Sequence, residues 1–465
     1  DYGSIMANFT NRFYENERGD DSGGDEPGDD SGGGSSGPTT DTSESTTGNP
    51  SVIVLVNGKE EQAGTASTMN RDGQSVTTIL VDEKKLQERL ETEPTGAVVT
   101  IPLGVESDVV IGELNGQMVK LMESKDAVVE ISTGKETYKI PARQIHIDAV
   151  SDQLGGSVEW QDIKIQIEIA APTADMVRIA ENAAESGTYT LVLPPVAFTV
   201  RAVYGETAVE ISTFNAYVER TIVIPEGVDP GKITTGVVIE PDGTVRHVPT
   251  KVTVMNGQYI AVINSLTNSL YSVVWNPVEF SDMANHWAKE AVNDMGSRMV
   301  VQGTTSGIYD PDREMTRAEF TAALVRGLGL KLDNGEARFS DVKPSDWYSS
   351  AIHTAYEYKL ISGFEDGTFR PNDVITREQA MVILSRAMDM TGLKDQLIEQ
   401  PAEAVLQAFE DAADLSSWAH SGVAQVVQSG MVTGRSVDKL EPKGKLTRAE
   451  AAVLIQRLLK QSDLI

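Results

Sequence analysis

The sequence contains no cysteine. Disulfide staples and thiol chemistry are therefore excluded. No uninterrupted apolar run approaches the ~20 residues that a membrane-spanning helix needs, and no signal peptide is legible at the start. Because the chain opens on Asp1 and not on Met, it is expected to be a mature or excised part of a longer protein. Positive charge is scarce. Lys and Arg number 39 against 69 Asp and Glu, a formal net charge of -30. Such a chain repels nucleic acid, and no basic stripe offsets this. An anionic partner must be captured by a few placed arginines. Histidine is scarce as well, with five in all. His146 and His247 each stand alone, and His286, His353 and His420 do not occupy equivalent positions. There is no Gly-Lys-Ser/Thr phosphate loop, no Gly-x-Ser-x-Gly elbow and no metal-spaced His pair. No catalytic residue, metal or cofactor is therefore expected. Acidic pairs are too common for one to be singled out as a glycosidase pair. The chain is not read as an enzyme, although a catalytic domain upstream stays open.

What is present falls into segments. Residues 1–14 read as the tail of a preceding domain. Residues 15–50 are a Gly/Ser/Asp/Glu/Thr tract, with ten acids and one Arg between Glu15 and Gly48. Such a tract cannot bury apolar surface and should be a self-repelling linker. Its Asp residues lack the spaced loop with closing Glu of a calcium site. From Ser51 the pattern turns to β. Val52–Val56 runs into the tight-turn signal Asn57-Gly58, and Lys251–Met255 turns at Asn256-Gly257 in the same way. Ile163, Ile165, Ile167 and Ile169 alternate with polar residues as in a half-buried strand. A short helix is expected over Asp82–Glu91 with Asp82 as N-cap, and Ala171–Glu185 suits a helix or a loop. Residues 51–275 thus read as β-rich and sandwich-like, divided into domains 51–170 and 171–278.

The last third is a repeat. Thr316-Arg317-Ala318-Glu319 returns as Thr376-Arg377-Glu378-Gln379 and as Thr447-Arg448-Ala449-Glu450. A tryptophan stands thirty residues before each arginine (Trp287, Trp347, Trp418), and a glycine sixteen after each tryptophan (Gly303, Gly363, Gly434). Each copy opens on an aromatic and an acid: Phe280 with Asp282, Phe339 with Asp341, Phe409 with Asp411. The copies span 279–338, 339–400 and 401–465. The tetrad has the spacing of a capping box, with Thr at N-cap and Glu or Gln at N3. Behind it, Phe320, Leu324 and Leu328 correspond to Ala380, Leu384 and Met388, and to Ala451, Ile455 and Leu459. These faces would build a central three-helix bundle. The arginine between the capping residues recurs without an obvious packing reason, and the helix dipole disfavours a cation there. A guanidinium beside free helix N–H groups would suit a carboxylate. The alternative is an exposed cation paired with the preceding repeat's acids.

These motifs resemble the S-layer homology (SLH) domain, a module of Gram-positive cell-surface proteins, over about 280–460. Gly363-Phe364-Glu365-Asp366-Gly367-Thr368-Phe369-Arg370-Pro371 matches the family's loop closely. Repeat 3 departs from it, lacking the Asp-Gly turn and carrying Glu441 where repeat 2 has Arg370. The whole also looks like large surface proteins of Paenibacillus-type bacteria. The resemblance implies a pseudo-threefold spindle with prongs, located at the cell wall or in an S-layer. It implies non-covalent binding of a secondary cell-wall polysaccharide bearing pyruvate ketals, in grooves between repeats. Arg317, Arg377 and Arg448 are the implied ligand residues. Gly303, Gly363 and Gly434 would supply positive φ or close approach, with a backbone contact to sugar. Trp287, Trp347 and Trp418 suit either a core or a groove wall. Asp282, Asp341 and Asp411 suit a local turn or a sugar hydroxyl. The Arg377 groove is expected to bind best and the Arg448 groove least. Membrane insertion is not expected. A carbohydrate-active enzyme and a self-assembling S-layer subunit stay open as alternatives.

Overall fold

The computed structural model describes residues 50–104, 106–156, 158–335 and 338–465. The expected tail 1–14 and all but the last residue of the linker 15–50 lie outside the described residues. A β-rich region over 51–275 is followed by a helical region, as the patterning requires.

The β region starts from two local signals. Asn57-Gly58 and Asn256-Gly257 both adopt positive φ (50° and 77°, 51° and 80°). Only such a turn matches the twist of paired strands, and it fixes Val56 opposite Lys59 and Met255 opposite Gln258. Asp82 accepts from the Lys85 N–H at 2.9 Å and starts the helix Glu83–Thr92, which buries Leu86 and Leu90. Two helices escaped the sequence reading, Gly116–Ser124 and Ile147–Gln153. The first is needed by topology. Strand Val98–Pro102 pairs in parallel with Val128–Ser132, and Gln74–Val81 with Val109–Asn115. Parallel neighbours cannot be joined by a tight hairpin, so the chain crosses over through a helix. Ala174–Gly187 is helical.

The expected boundary between residues 170 and 171 is not a division in the structure. Strand Lys164–Ala170 pairs with Val109–Asn115 on one side and Val196–Tyr204 on the other. Glu136–Pro141 likewise pairs with Thr213–Val223. Strands from both halves form one continuous sheet around one apolar core that runs from Val54 to Val273. The Ile163–Ile169 face lies in that core, so its burial depends on strands from both halves.

In the helical region, Arg317–Gly327, Arg377–Thr391 and Arg448–Gln461 are the central helices. All three capping boxes are formed, each Thr hydroxyl accepting from the N3 backbone while the N3 side chain accepts from the Thr N–H. Phe320, Leu324, Leu328, Ala380, Leu384, Met388, Ala451, Ile455 and Leu459 are all buried in one shared core. The outer helices Lys289–Ser297, Ser349–Glu357 and His420–Gln428 pack on the central helix of the repeat before them, the first closing the circle onto the third. Just ahead of the tetrads, Ile375 N–H donates to Met315 C=O (2.9 Å), Leu446 N–H to Ile375 C=O (3.1 Å) and Met315 N–H to Leu446 C=O (2.9 Å). This closed ring of backbone bonds marks the pseudo-threefold axis. No repeat can satisfy these groups alone, so the three form one unit.

The β region seats on the far end of this bundle. Tyr217 donates to Leu328 C=O (2.7 Å), and Arg246 Nε to Gly329 C=O (3.1 Å). His247 Nε2 lies 3.3 Å from Gly327 C=O, and Lys251 pairs with Asp463. The Tyr217, Arg246 and His247 contacts satisfy carbonyls at and just past the C-terminus of the helix Arg317–Gly327.

Candidate functional site

Grooves between the repeats

The tetrad arginines are the starting point. Each is buried, at 6–7% exposure, and each reaches into the loop of the next repeat round the axis. Arg317 Nε donates to Phe369 C=O (2.9 Å), Arg377 Nε to Leu440 C=O (2.8 Å) and Arg448 Nε to Tyr309 C=O (2.9 Å). The expected free helix N–H groups are not free. Arg317 and Ala318 N–H donate to Asp373 and Pro371 carbonyls (both 2.9 Å), and the other two helices repeat the pattern with Gly444 and Pro442, and with Arg313 and Pro311. The neighbouring loop caps the helix, which leaves the guanidinium itself as the polar group facing the groove. Arg377 and Arg448 do face acids, but on the repeat that follows in the cycle: Glu450 at 3.3 Å and Glu319 at 3.9 Å. The reading of an exposed cation paired with the preceding repeat's acids is thereby corrected. Burial pushes the Arg317 guanidinium down to about 10, so it stays charged at neutral pH.

This cyclic offset removes the ground on which the expected ranking rested. The closely matching loop of repeat 2 belongs with Arg317 and not with Arg377. Arg377 meets the divergent loop of repeat 3, and Arg448 meets that of repeat 1.

The tryptophans are not core residues. Trp287 and Trp347 are 66% exposed and Trp418 is 56% exposed. Each joins an arginine and a glycine from the two other repeats. Arg317, Gly363 and Trp418 line one groove, Arg377, Gly434 and Trp287 a second, and Arg448, Gly303 and Trp347 a third. Every groove thus takes one anchor from each repeat. An exposed aromatic face beside a buried guanidinium can hold a sugar ring and an acidic substituent together.

The glycines are required by crowding. A Cβ at Gly363 would sit 2.4 Å from Phe339 Cε1, and one at Gly303 would sit 2.6 Å from Ile308 C=O. Gly434 adds a positive φ of 98°. The aspartates do not line the grooves. Asp282 accepts the N–H groups of Tyr309 and Asp310, Asp341 those of Phe369 and Arg370, and Asp411 those of Leu440 and Glu441. The second residue of each pair has positive φ (62°, 58° and 50°). Each carboxylate thus fixes a strained loop residue, and both its oxygens are occupied in doing so. This favours the turn over the sugar hydroxyl.

One element escaped the sequence reading. A second arginine follows each tetrad arginine by nine residues: Arg326, Arg386 and Arg457. Arg386 lines the Arg317 groove, Arg457 the Arg377 groove and Arg326 the Arg448 groove, and Arg326, Arg386 and Arg457 donate to carbonyls just past the outer helices: Val300 (2.8 Å), Leu360 (3.4 Å) and Met431 (2.8 Å). The fixed spacing was the available signal.

Repeats too small to fold alone, closed into a ring, define one module with a like groove at each junction. Residues 279–321, 338–381 and 408–452 match the S-layer homology domain, and the chain carries three such domains. Domains of this kind anchor surface proteins to the cell wall and mark a cell-surface, wall-associated protein. The chain is 36% identical over 247 residues to an amylopullulanase of Thermoanaerobacterium thermosulfurigenes (53% of this chain, 13% of that protein). It is 39% identical over 200 residues to exoglucanase XynX of Acetivibrio thermocellus (43% and 18%). It is 28% identical over 168 residues to a cellulosome-anchoring protein of the latter species (35% and 36%). The chain thus spans under a fifth of the length of the first two relatives. The first of these alignments is longer than the three repeats together, so that likeness extends beyond them. Among the described residues, no helix is long and apolar enough to cross a membrane.

Proposed function

We propose that the helical region holds a secreted protein on the wall non-covalently, by binding a secondary cell-wall polysaccharide through its acidic pyruvate ketals. The observation that carries this is the convergence of an arginine, a glycine and an exposed tryptophan from three repeats in each groove. One charged hydrogen-bonded contact contributes ~1.5–3 kcal/mol, which is weak alone. Several grooves on one repetitive polymer raise the affinity through effective concentration. The described β region is read as a non-catalytic carrier, with any catalytic domain belonging to a longer protein. The test is co-sedimentation of the full chain with purified wall polysaccharide, before and after removal of the ketals. Binding is expected to vanish on their removal and in the Arg317→Ala/Arg377→Ala double variant. Unchanged binding in both cases would refute the reading.

A further inference from the structure

The three grooves share a plan but differ in how the tetrad arginine is paired. Where Arg377 meets Glu450 and Arg448 meets Glu319, each glutamate is shared with a second arginine, Arg435 at 3.0 Å and Arg313 at 2.6 Å. That second arginine has an acid of its own, Glu441 at 2.9 Å or Asp310 at 3.6 Å. In each case both of these guanidinium groups are ion-paired, and the third arginine of the groove, Arg457 or Arg326, is bonded to a backbone carbonyl. In the third groove the equivalent capping residue is Gln379, which still accepts the Thr376 N–H (3.1 Å) but carries no charge. The second arginine there, Arg370, pairs with Asp366 at 3.0 Å. Arg317 lies with its guanidinium carbon 4.8 Å from the Phe364 ring and 4.6 Å from the Phe369 ring. It has no ion pair among the described residues. Asp373 acts on it from beyond ion-pair distance, and the exposed Glu365 pairs with neither arginine. Arg386 and Glu365 also line this groove, but no carboxylate sits on Arg317, whereas Glu450 sits on Arg377 and Glu319 on Arg448. This groove is also the roomiest, at about 680 Å³ against 380 and 260 Å³.

We propose that Gln379 is the residue that selects the ligand groove: the Arg317 groove is the primary acceptor of an anionic sugar substituent, while Glu450 and Glu319 act as built-in counter-ions in the other two. This rests on the anchoring role proposed above. An incoming carboxylate would meet a like charge already seated on Arg377 or Arg448, which is costly in a partly buried site. Against Arg317 it meets a desolvated guanidinium stacked on aromatic rings and lacking a carboxylate partner. The capping position thereby has two roles. Glutamine and glutamate both start the helix, but only glutamate neutralises the neighbouring groove.

The test is calorimetric titration of the full chain with single-repeat fragments of ketal-bearing wall polysaccharide, short enough that two grooves cannot be bridged. Gln379→Glu should weaken the tightest site by about tenfold or more. It should leave the thermal melting curve unchanged, because glutamate already caps the other two helices. Arg317→Ala should lose at least tenfold more affinity than Arg377→Ala or Arg448→Ala, and Glu450→Gln should tighten a second site. Wild-type affinity in Gln379→Glu, or equal losses from the three arginine variants, would overturn the proposal and leave the anchoring role standing. If none of the arginine variants lost affinity, the anchoring assignment of the grooves would itself fall.

Discussion

Replacing Asp341 with alanine separates the two roles open to the aspartate that begins each repeat. Its carboxylate accepts the N–H groups of Phe369 at 2.8 Å and Arg370 at 2.7 Å. Hydrogen bonds to a charged group contribute about 1.5–3 kcal/mol each, so the two together are worth about 3–6. Asp341 is only half-buried, and water can replace part of what is lost. The expected net destabilisation is then about 2–4 kcal/mol. Arg370 would also lose the contact that holds it at φ 58°. The Phe369 carbonyl that receives Arg317 Nε would lose its fixed position, so polymer binding should weaken together with stability. Urea denaturation followed by helix circular dichroism measures the first effect, and polymer titration the second. A variant with wild-type stability and lost binding would refute the reasoning and make Asp341 a direct sugar ligand.

Two further outcomes follow from the junction with the β region. Gly329 has φ 66°, and a Cβ there would lie 2.9 Å from both the His247 carbonyl oxygen and Pro249 Cδ. Gly329→Ala should therefore cost ~1–3 kcal/mol, seen as a lowered denaturation midpoint. Burial depresses the His247 imidazole from its ordinary 6.5 to about 3. Between those values the unfolded chain binds the proton and the folded chain does not. Stability should therefore fall as pH drops from about 6.5 towards 3, by up to ~1.4 kcal/mol per pH unit from this group. His247→Gln should flatten that slope in denaturation curves taken at several pH values, and an unchanged slope would assign the acid sensitivity to carboxylates.

Local signals proved legible, and cyclic ones did not. The capping boxes, the Asn-Gly hairpins and the Asp82 N-cap each depend on a few adjacent residues, and all formed as the residue types require. The apolar spacing after each tetrad placed Phe320, Leu384 and Ile455 in one core, because a 3.6-residue period fixes a face. The partner of each face is a different matter. Nothing in the order of the chain says that Arg317 meets the loop of repeat 2, since that follows from closing the ring. The same holds in the β region. The Ile163–Ile169 alternation marked a strand, yet the buried Glu168 finds Arg201 at 2.7 Å and Arg71 at 3.5 Å on strands far from it in sequence. The helix Gly116–Ser124 was hidden by its shortness and by the glycine at its start, which both weaken a periodic signal.

The seating of the β region on the C-terminal end of a central helix gives the molecule a polarity. The arginines stand at the N-terminal ends of the same helices, and the 11 residues of Arg317–Gly327 span ~16 Å at 1.5 Å per residue. On the anchoring role proposed above, attachment and cargo would occupy opposite ends of the bundle. A pull on the β region would run along the helix axes into the ring of backbone bonds, and would not peel the grooves open from their rims. Whatever extends beyond the β region would then be held at a set angle to the wall.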